Sequence, residues 1–194
     1  MQDFHQAVTA ITKQVVSLVD KNPTPIILID GRAASGKSSL AASLKNVLFK
    51  ELEQAPRLIH MDDLYPGWEG LLLGAGYLNQ QILGPLKAGK TAHWQLWNWQ
   101  KAERGNADEP GNGWREFSGG TPLIVEGCGS LSRVSSELAD YRIWIEAPKE
   151  TRHSRWLERD GEKFNDFWHI WAAQEDEFYQ QEKSKSLADL VIEN

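Results

Sequence analysis

The stretch from Ile26 to Ser39 limits the fold of this chain more than any other part of the sequence. Four apolar residues, 26–29, lead through Asp30 into the pattern Gly-x-x-x-x-Gly-Lys-Ser, and a helix-compatible run from Leu40 to Leu52 follows. A buried strand, a glycine-rich turn and a new helix form the setting of a phosphate-binding P-loop. The alternative is a glycine-rich turn that carries a lysine by accident, which the flanking strand and helix disfavour.

Each residue type in this pattern has a physical reason to be there. Gly31 and Gly36 let the backbone turn tightly and bring its N–H groups to phosphate oxygens without Cβ clashes, and the new helix directs its positive end at the same phosphates. We expect Lys37 to reach the β- and γ-phosphates and the Ser38 hydroxyl to bind Mg²⁺. The predicted triphosphate cradle consists of Gly31, Ala34, Ser35, Gly36, Lys37, Ser38 and Ser39.

Composition narrows the class of protein. A chain of 194 residues without an internal repeat is expected to form one domain. Its 27 acidic against 21 basic residues argue against a broad nucleic-acid-binding face. The single cysteine, Cys128, excludes an intramolecular disulfide framework and fits a reducing compartment. No apolar run approaches the roughly 20 residues that cross a bilayer, and the N-terminus does not look like a signal peptide. We therefore expect a cytoplasmic protein that binds neither membrane nor nucleic acid; its oligomeric state stays open.

Strand and helix patterns alternate along the chain, which predicts a parallel α/β sheet with helices on both faces. The fold class is that of a P-loop NTPase with five strands and an arginine-bearing lid over about residues 149–165. The segment 65–120 is predicted as an acceptor-binding insert with a helical piece at 78–83, an extended stretch at 94–99 and a turn-rich loop at 104–120. The other predicted elements are helices at 4–19, 132–138, 151–160 and 166–181 and strands at 57–61, 121–127, 141–146 and 187–192.

Two strand ends supply candidate carboxylates. Asp62 and Asp63 follow the second strand, and Glu126 ends the third. The carboxyl ends of parallel strands form the ligand-binding edge of such a sheet. Asp62 is predicted to accept the proton of an acceptor hydroxyl, and Glu126 to hold Mg²⁺ together with Ser38. The alternatives are a turn or N-cap pair for the aspartates and an exposed strand-end carboxylate for Glu126.

Three arginines, Arg152, Arg155 and Arg159, follow the spacing i, i+3, i+7 and so share one face of a predicted helix. Such a face could close over a triphosphate, with Arg152 contacting the nucleotide and the other two stabilising the migrating phosphoryl group. The alternative is a solvated face that pairs with nearby acidic residues. Those acidic residues are Glu158, Asp160 and Glu162.

The chain resembles the uridine kinase-like branch of the P-loop nucleoside and small-molecule kinases, which includes relatives of pantothenate kinase and phosphoribulokinase. The resemblance covers residues 26–192, and the motifs that carry it are Gly31–Ser38, Met61–Tyr65, Val125–Gly127, Thr151–Asp160 and Ala188–Ile192. It implies that Asp62 is the catalytic base, that Tyr65 lines the acceptor pocket and that Glu126 supports magnesium. It also implies that adenine binds near the last strand.

The acceptor motif departs from that family. Where uridine kinases have Pro-Tyr-Asp-Phe-x-x-His-x-Arg, the segment Leu96–Arg104 has Asn98 for the aspartate and Ala102 for the histidine, and Arg104 agrees. In the lid, Trp156 stands where an arginine is common. A site built to hydrogen-bond one acceptor loses its discrimination when these partners change, so the resemblance implies a kinase but not uridine as its substrate.

The same segment is rich in tryptophan, at positions 94, 97 and 99, which suggests a flat or aromatic acceptor. The predicted acceptor-binding residues are Asp62, Tyr65, Trp97 and Arg104. The predicted function is transfer of a phosphoryl group from ATP, with Mg²⁺, to a hydroxyl of a small molecule. Two alternatives are a nucleotide-binding regulator without transferase activity and a nucleotide hydrolase that drives a partner. The acceptor and the choice between ATP and GTP stay open.

Overall fold

The computed structural model describes residues 4–106, 108, 110–161 and 165–194. In chain order the strands are β1 (Ile26–Asp30), β2 (Arg57–His60), β3 (Ala92–Gln95), β4 (Trp97–Asn98), β5 (Glu103–Arg104), β6 (Trp114–Phe117), β7 (Leu123–Glu126), β8 (Tyr141–Glu146) and β9 (Leu190–Glu193). Five of these strands form a central, all-parallel sheet in the order β2-β7-β1-β8-β9, which confirms the predicted fold class. Two small antiparallel pairs, β3 with β6 and β4 with β5, lie outside this sheet.

Helices cover both faces of the sheet. A 3₁₀ turn (Met61–Asp63) follows β2, and a π-helical stretch (Asn79–Leu83) connects two α-helices of the insert. Within the described residues no helix has both the length and the apolar composition needed to cross a membrane. The α-helices are α1 (Phe4–Val19), α2 (Lys37–Leu52), α3 (Leu71–Leu78), α4 (Gly84–Lys87), α5 (Arg133–Leu138), α6 (Lys149–Asp160), α7 (Asn165–Glu182) and α8 (Ser184–Leu187).

The alternation of side chains along β1 explains the two layers. All five β1 residues are buried, as expected for a central parallel strand covered on both faces. Ile27 and Ile29 pack with α1 and α2 on one face. Ile26 and Leu28 belong to the core on the other face, which includes α3 and the aromatic residues of α6 and α7.

The insert contains more regular structure than its sequence indicated. The predicted extended stretch 94–99 is divided between β3 and β4, and the predicted loop 104–120 contains β6 and the end of β5. These strands have only two to four residues each, so their pairing across the insert decides their conformation and local periodicity does not. The last predicted strand, 187–192, starts later, at Leu190, because the chain first forms the helix α8, which ends at Leu187.

The sheet collects the candidate site residues at one edge. In the register of the strands Ile29 pairs with Glu126, and His60 pairs with Glu126 from the other side. The P-loop therefore leaves the sheet beside Glu126, and the turn that carries Asp62 follows His60 directly. Residues 162–164 of the predicted lid, including Glu162, lie outside the described residues.

Candidate functional site

The backbone of the P-loop requires glycine at two positions, Gly31 and Gly36. Gly31 has φ +147° and Gly36 has φ +104°. A Cβ at Gly31 would lie 2.3 Å from the Ile145 carbonyl oxygen, and one at Gly36 would lie 2.4 Å from Asn194 Nδ2. Helix α2 starts at Lys37, inside the loop, so its first N–H groups face the space where phosphate would lie.

Lys37 is buried at the base of this loop. Its Nζ donates to the Arg32 carbonyl over 2.9 Å and lies 3.6 Å from Cys128 Sγ. Burial alone would lower the pKa of Lys37, but nearby Cys128 and the carboxylates around it raise that pKa above its usual value. Lys37 therefore remains a cation, ready to bind anionic oxygens.

The predicted metal ligands lie side by side. The Ser38 hydroxyl donates to Glu126 Oε2 over 3.2 Å, and His60 Nδ1 lies 2.6 Å from Glu126 Oε1. The hydrogen bond to Glu126 raises the pKa of His60. One carboxylate oxygen is thus held by His60, while the other points at the serine. A hydroxyl and one carboxylate oxygen fit Mg²⁺, which binds few protein ligands and completes its shell with water and phosphate oxygens.

Asp62 lies on the 3₁₀ turn after β2 and lines a cavity that Lys37, Ser38 and Glu126 also line. Asp62 is exposed to the open cavity, but the surrounding walls limit the hydration of its carboxylate; this partial desolvation, followed by the charge of Glu126, raises the pKa of Asp62. Lys37 and Arg159 act in the opposite direction. A carboxylate with a raised pKa is a better proton acceptor than an ordinary aspartate, so this group suits general-base chemistry.

The three lid arginines occupy different environments. Arg152 is buried, and it donates to the carbonyls of Ala147 (3.1 Å) and Ala33 (3.3 Å), which attaches α6 to the P-loop. Arg155 and Arg159 line the cavity. Arg159 forms a bidentate pair with its neighbour Asp160, as the solvated-face alternative anticipated.

Three of the predicted acceptor residues lie away from the cavity. Tyr65 is buried and donates its hydroxyl to the Cys128 carbonyl over 2.7 Å. Arg104 donates to the Leu64 carbonyl over 2.9 Å, and its guanidinium lies 3.5 Å from the centre of the Tyr77 ring. Trp97 is half-buried in the β4–β5 hairpin, with Arg104 5.8 Å from its ring centre. Tyr65 and Arg104 therefore make contacts within the fold and do not line the cavity.

A cavity of about 550 Å³ joins the remaining candidates. P-loop residues, Lys37, Ser38 and Glu126 form one end, and Asp62 lies between this end and an aromatic wall. Trp99 is the one tryptophan of the three from segment 94–99 that reaches the cavity, and its indole N–H donates to the Asp62 carbonyl over 2.9 Å. The aromatic wall consists of Trp68, Trp99, Trp156 and Trp171.

Two buried carboxylates that sequence reasoning missed support the P-loop. Asp30 accepts hydrogen bonds from Gly31 N (2.6 Å), Gly129 N (3.1 Å), Leu131 N (2.8 Å) and the Tyr179 hydroxyl (2.7 Å). Burial raises the pKa of Asp30 to about 6. Its position at the end of a wholly apolar strand was a signal that could have identified it.

The second carboxylate, Glu175, comes from α7. It accepts from the Ala33 N–H over 2.5 Å and pairs with Arg32 over 3.5 Å. Glu175 falls on the buried face of its helix, in phase with Trp171 and Phe178. A carboxylate on an apolar helix face is a pattern that the sequence alone can show. Together the two acids hold the first three residues of the loop, Gly31 to Ala33.

Comparisons with known proteins agree with this geometry. No protein-family model matches the chain, and no curated protein sequence matches it either. Solved structures do match. A protein described as a possible uridine kinase from Bacillus stearothermophilus superposes with a TM-score of 0.67 at 17% identity, covering 97% of this chain and 98% of the other.

Two further structures share the architecture. D-glycerate 3-kinase from Cryptococcus neoformans var. grubii matches with a TM-score of 0.59 at 13% identity over 94% of this chain and 90% of its own. A candidate fructose transport system kinase from Silicibacter sp. TM1040 matches with a TM-score of 0.61 at 18% identity, covering 95% of this chain and 98% of the other. The fold is that of a P-loop kinase. The resemblance that the motifs indicated is thus confirmed at the level of the fold.

Proposed function

We propose that this chain transfers the γ-phosphoryl group of ATP to a hydroxyl of a small molecule, with Mg²⁺ as the metal. The observation that carries the proposal is one shared cavity. A triphosphate cradle with Lys37, an oxygen pair from Ser38 and Glu126, and the carboxylate of Asp62 all face it. Phosphoryl transfer requires these parts, and the kinase-like fold agrees with them.

The nucleotide end of the cavity binds and orients phosphate. The N–H groups of the P-loop and the Lys37 ammonium hold the phosphate oxygens. Ser38 and Glu126 would hold Mg²⁺, and His60 keeps the Glu126 carboxylate in place through the 2.6 Å contact between Nδ1 and Oε1. The bound ion would neutralise phosphate charge and align the triphosphate.

The acceptor end supplies the base. Asp62 accepts the proton of the acceptor hydroxyl at its carboxylate as the oxygen attacks. Its raised pKa keeps that proton on the carboxyl more readily than an ordinary aspartate would. Arg155 and Arg159 also line the cavity, and we expect their cationic groups to stabilise the charge of the migrating phosphoryl group.

The room beside Asp62 favours a kinase over a hydrolase or a regulator. A hydrolase needs to place only water next to its base, whereas this cavity, about 550 Å³ with its phosphate end included, is also lined by four tryptophans. Pockets of 300–1,000 Å³ are typical of small-molecule sites. A regulator that has lost transfer would not need such a space.

The test is an ADP-release assay with ATP and Mg²⁺ across a panel of nucleosides, pantothenate, sugars and aromatic alcohols. We expect turnover that depends on one class of acceptor, a product that carries a phosphoryl group by mass spectrometry, and loss of both in Asp62→Asn. ATP binding with no transfer to any acceptor would support the regulator instead. Substantial ATP hydrolysis without an acceptor, raised by a partner protein, would support the hydrolase.

A further inference from the structure

The acceptor half of the cavity is an aromatic cage, defined here as Trp68, Trp99, Trp156 and Trp171. Trp68 is at its centre. Its ring centre lies 5.2 Å from that of Trp99, 6.0 Å from that of Trp156 and 6.4 Å from that of Trp171. Trp68 and Trp99 supply the accessible aromatic surface of this wall, while Trp156 and Trp171 are 3% and 5% exposed and pack behind them.

The cage is held in a fixed arrangement. Phe167 stacks on Trp68, with ring centres 4.5 Å apart and planes 20° apart. Gln174 of α7 donates to the Trp68 carbonyl over 2.6 Å and accepts from the Leu71 N–H over 3.2 Å, which fixes the loop between Trp68 and Leu71. Sites whose side chains are already ordered lose less entropy when a ligand binds.

The cage is also tied directly to the proposed base. The hydrogen bond from the Trp99 indole to the Asp62 carbonyl, 2.9 Å long, links the backbone of the base to one wall. A flat body that rests on this wall would present a short hydroxyl-bearing substituent at the Asp62 carboxylate. This placement is what proton abstraction requires.

Several charged side chains of the lining that could bind hydroxyls already have protein partners, since Arg159 and Asp160 pair with each other and Glu126 bonds Ser38 and His60. Among the described lining residues the hydroxyl side chains are Ser38 and Ser39 of the P-loop, and there is no amide or imidazole side chain. The Trp99 N–H already donates to Asp62, and the Trp156 N–H is buried without a partner among the described residues. Hydroxyls of a sugar or a ribose placed against indole would lose their bonds to water without replacement.

The charge of the lining argues for a neutral body. Lys37, Arg155 and Arg159 face the cavity, as do Asp62, Glu126 and Asp160. The Arg159 guanidinium also lies 5.5 Å from the ring centre of Trp156, so a protein cation already occupies a position over that indole. Three cationic and three anionic side chains balance, so the lining gives a charged acceptor no net electrostatic attraction.

From these contacts we infer that the phosphate acceptor is a neutral aromatic alcohol: a flat ring with one short hydroxyl-bearing substituent and few other polar groups. This inference rests on the proposed function for the reaction but concerns the ligand that the cage binds. It differs from the sequence-based suggestion in its residues, because Trp94 and Trp97 do not line the cavity and three other tryptophans do.

The experiment separates binding from transfer. Calorimetric titrations use the protein loaded with Mg²⁺ and a non-hydrolysable ATP analogue, and the probes are pyridylmethanol, indolylethanol, fructose and glycerate. ADP release with ATP is measured for the same four probes. We expect the two aromatic alcohols to bind and to stimulate ADP release, and the two polyhydroxylated or acidic probes to do neither.

Variants test the cage itself. Trp68→Leu and Trp99→Leu should each weaken binding of the aromatic alcohols about tenfold or more, with affinity for the ATP analogue within about twofold. Trp99 is 40% exposed, so its replacement should fold even if Trp68→Leu does not. The matched control is Trp114→Leu on β6, an indole that is 52% exposed and outside the cavity, which should bind like the unmodified chain.

Each outcome decides a different question. Absence of aromatic-alcohol binding, or equal binding in the two cage variants, overturns the cage inference, whether or not another acceptor is phosphorylated. Phosphorylation of fructose or glycerate alone would overturn it while leaving the kinase proposal intact. Binding of an aromatic alcohol that cage variants weaken, without any ADP release, supports the cage and contradicts the proposed transfer.

Discussion

The Ser38 hydroxyl donates to Glu126 Oε2 across 3.2 Å, although 88 residues separate the two in the chain. Sheet order produces this contact. Strands β1 and β7 are parallel neighbours, and Ile29 is in register with Glu126, so the loop after β1 starts beside the end of β7. Backbone pairing thus brings together the two side-chain oxygens of the proposed metal site.

Replacement of Asp62 by asparagine should separate binding from transfer. Asp62→Asn keeps the size of the side chain and removes the proton acceptor, so we expect turnover to fall at least about 100-fold. Nucleotide affinity, measured by calorimetry, should stay within about twofold. Asp63→Asn is the neighbouring control and should keep turnover within about threefold. Retained turnover in Asp62→Asn would remove this residue from its role.

Replacement of Lys37 should weaken nucleotide binding itself. Lys37→Met removes the buried ammonium that faces the phosphate site, and we expect ATP affinity to fall about tenfold or more. Lys50→Met, in the exposed last turn of the same helix, is the control and should bind ATP normally. Unchanged affinity in Lys37→Met would contradict the P-loop assignment.

The metal site predicts a specific dependence on Mg²⁺. Glu126→Gln keeps an oxygen beside Ser38 but removes its charge, so the Mg²⁺ concentration for half-maximal turnover should rise about tenfold. Binding of Mn²⁺ in the presence of nucleotide, followed by electron paramagnetic resonance, should weaken in parallel. An unaltered metal requirement would show that Glu126 does not ligate the ion.

The pH dependence of turnover should report the pKa of Asp62. The base acts in its ionised form, so turnover falls as pH drops through that pKa, which partial desolvation by the cavity walls and the charge of Glu126 place above the ordinary 3.8. Arg159 lowers the same pKa, and Arg159→Met should therefore move the acid limb to higher pH. A limb at the ordinary aspartate value, or one that Arg159→Met leaves in place, would contradict this origin.

Replacement of Arg104 distinguishes a structural role of this residue from a role in binding the acceptor. Its guanidinium reaches the Leu64 carbonyl and stacks on Tyr77, and lysine can reproduce neither the fork nor the stack. Arg104→Lys should lower the free energy of unfolding by about 1–2 kcal/mol and leave the acceptor KM nearly unchanged. Unaltered stability to urea together with a raised KM would return Arg104 to the acceptor site.

The parts of the site that lie on regular elements were predictable. The P-loop, Asp62, Glu126 and the lid helix follow strands or carry a helical period, and local patterns report such positions well. Glu175 followed the same period on α7, but a buried carboxylate acquires meaning only once its partner, the Ala33 N–H, is known.

The acceptor side could not be predicted in the same way. The aromatic cage draws Trp68 and Trp99 from the insert, Trp156 from α6 and Trp171 from α7. Four residues from three separate regions share no spacing that a sequence pattern could report. The family resemblance directed attention to Trp97 instead, which the short β4–β5 hairpin holds away from the cavity.

The buried attachment of Arg152 has a mechanical consequence. The helix α6 is fixed near its first turn, where this guanidinium bonds the carbonyls of Ala33 and Ala147. Arg155 lies one turn further along, and Arg159 lies in the last turn. Any rotation of α6 about Arg152 would displace Arg159 further than Arg155, because Arg159 lies further along the helix. A small shift of the P-loop backbone at Ala33 would therefore be larger at Arg159, beside the Trp156 ring.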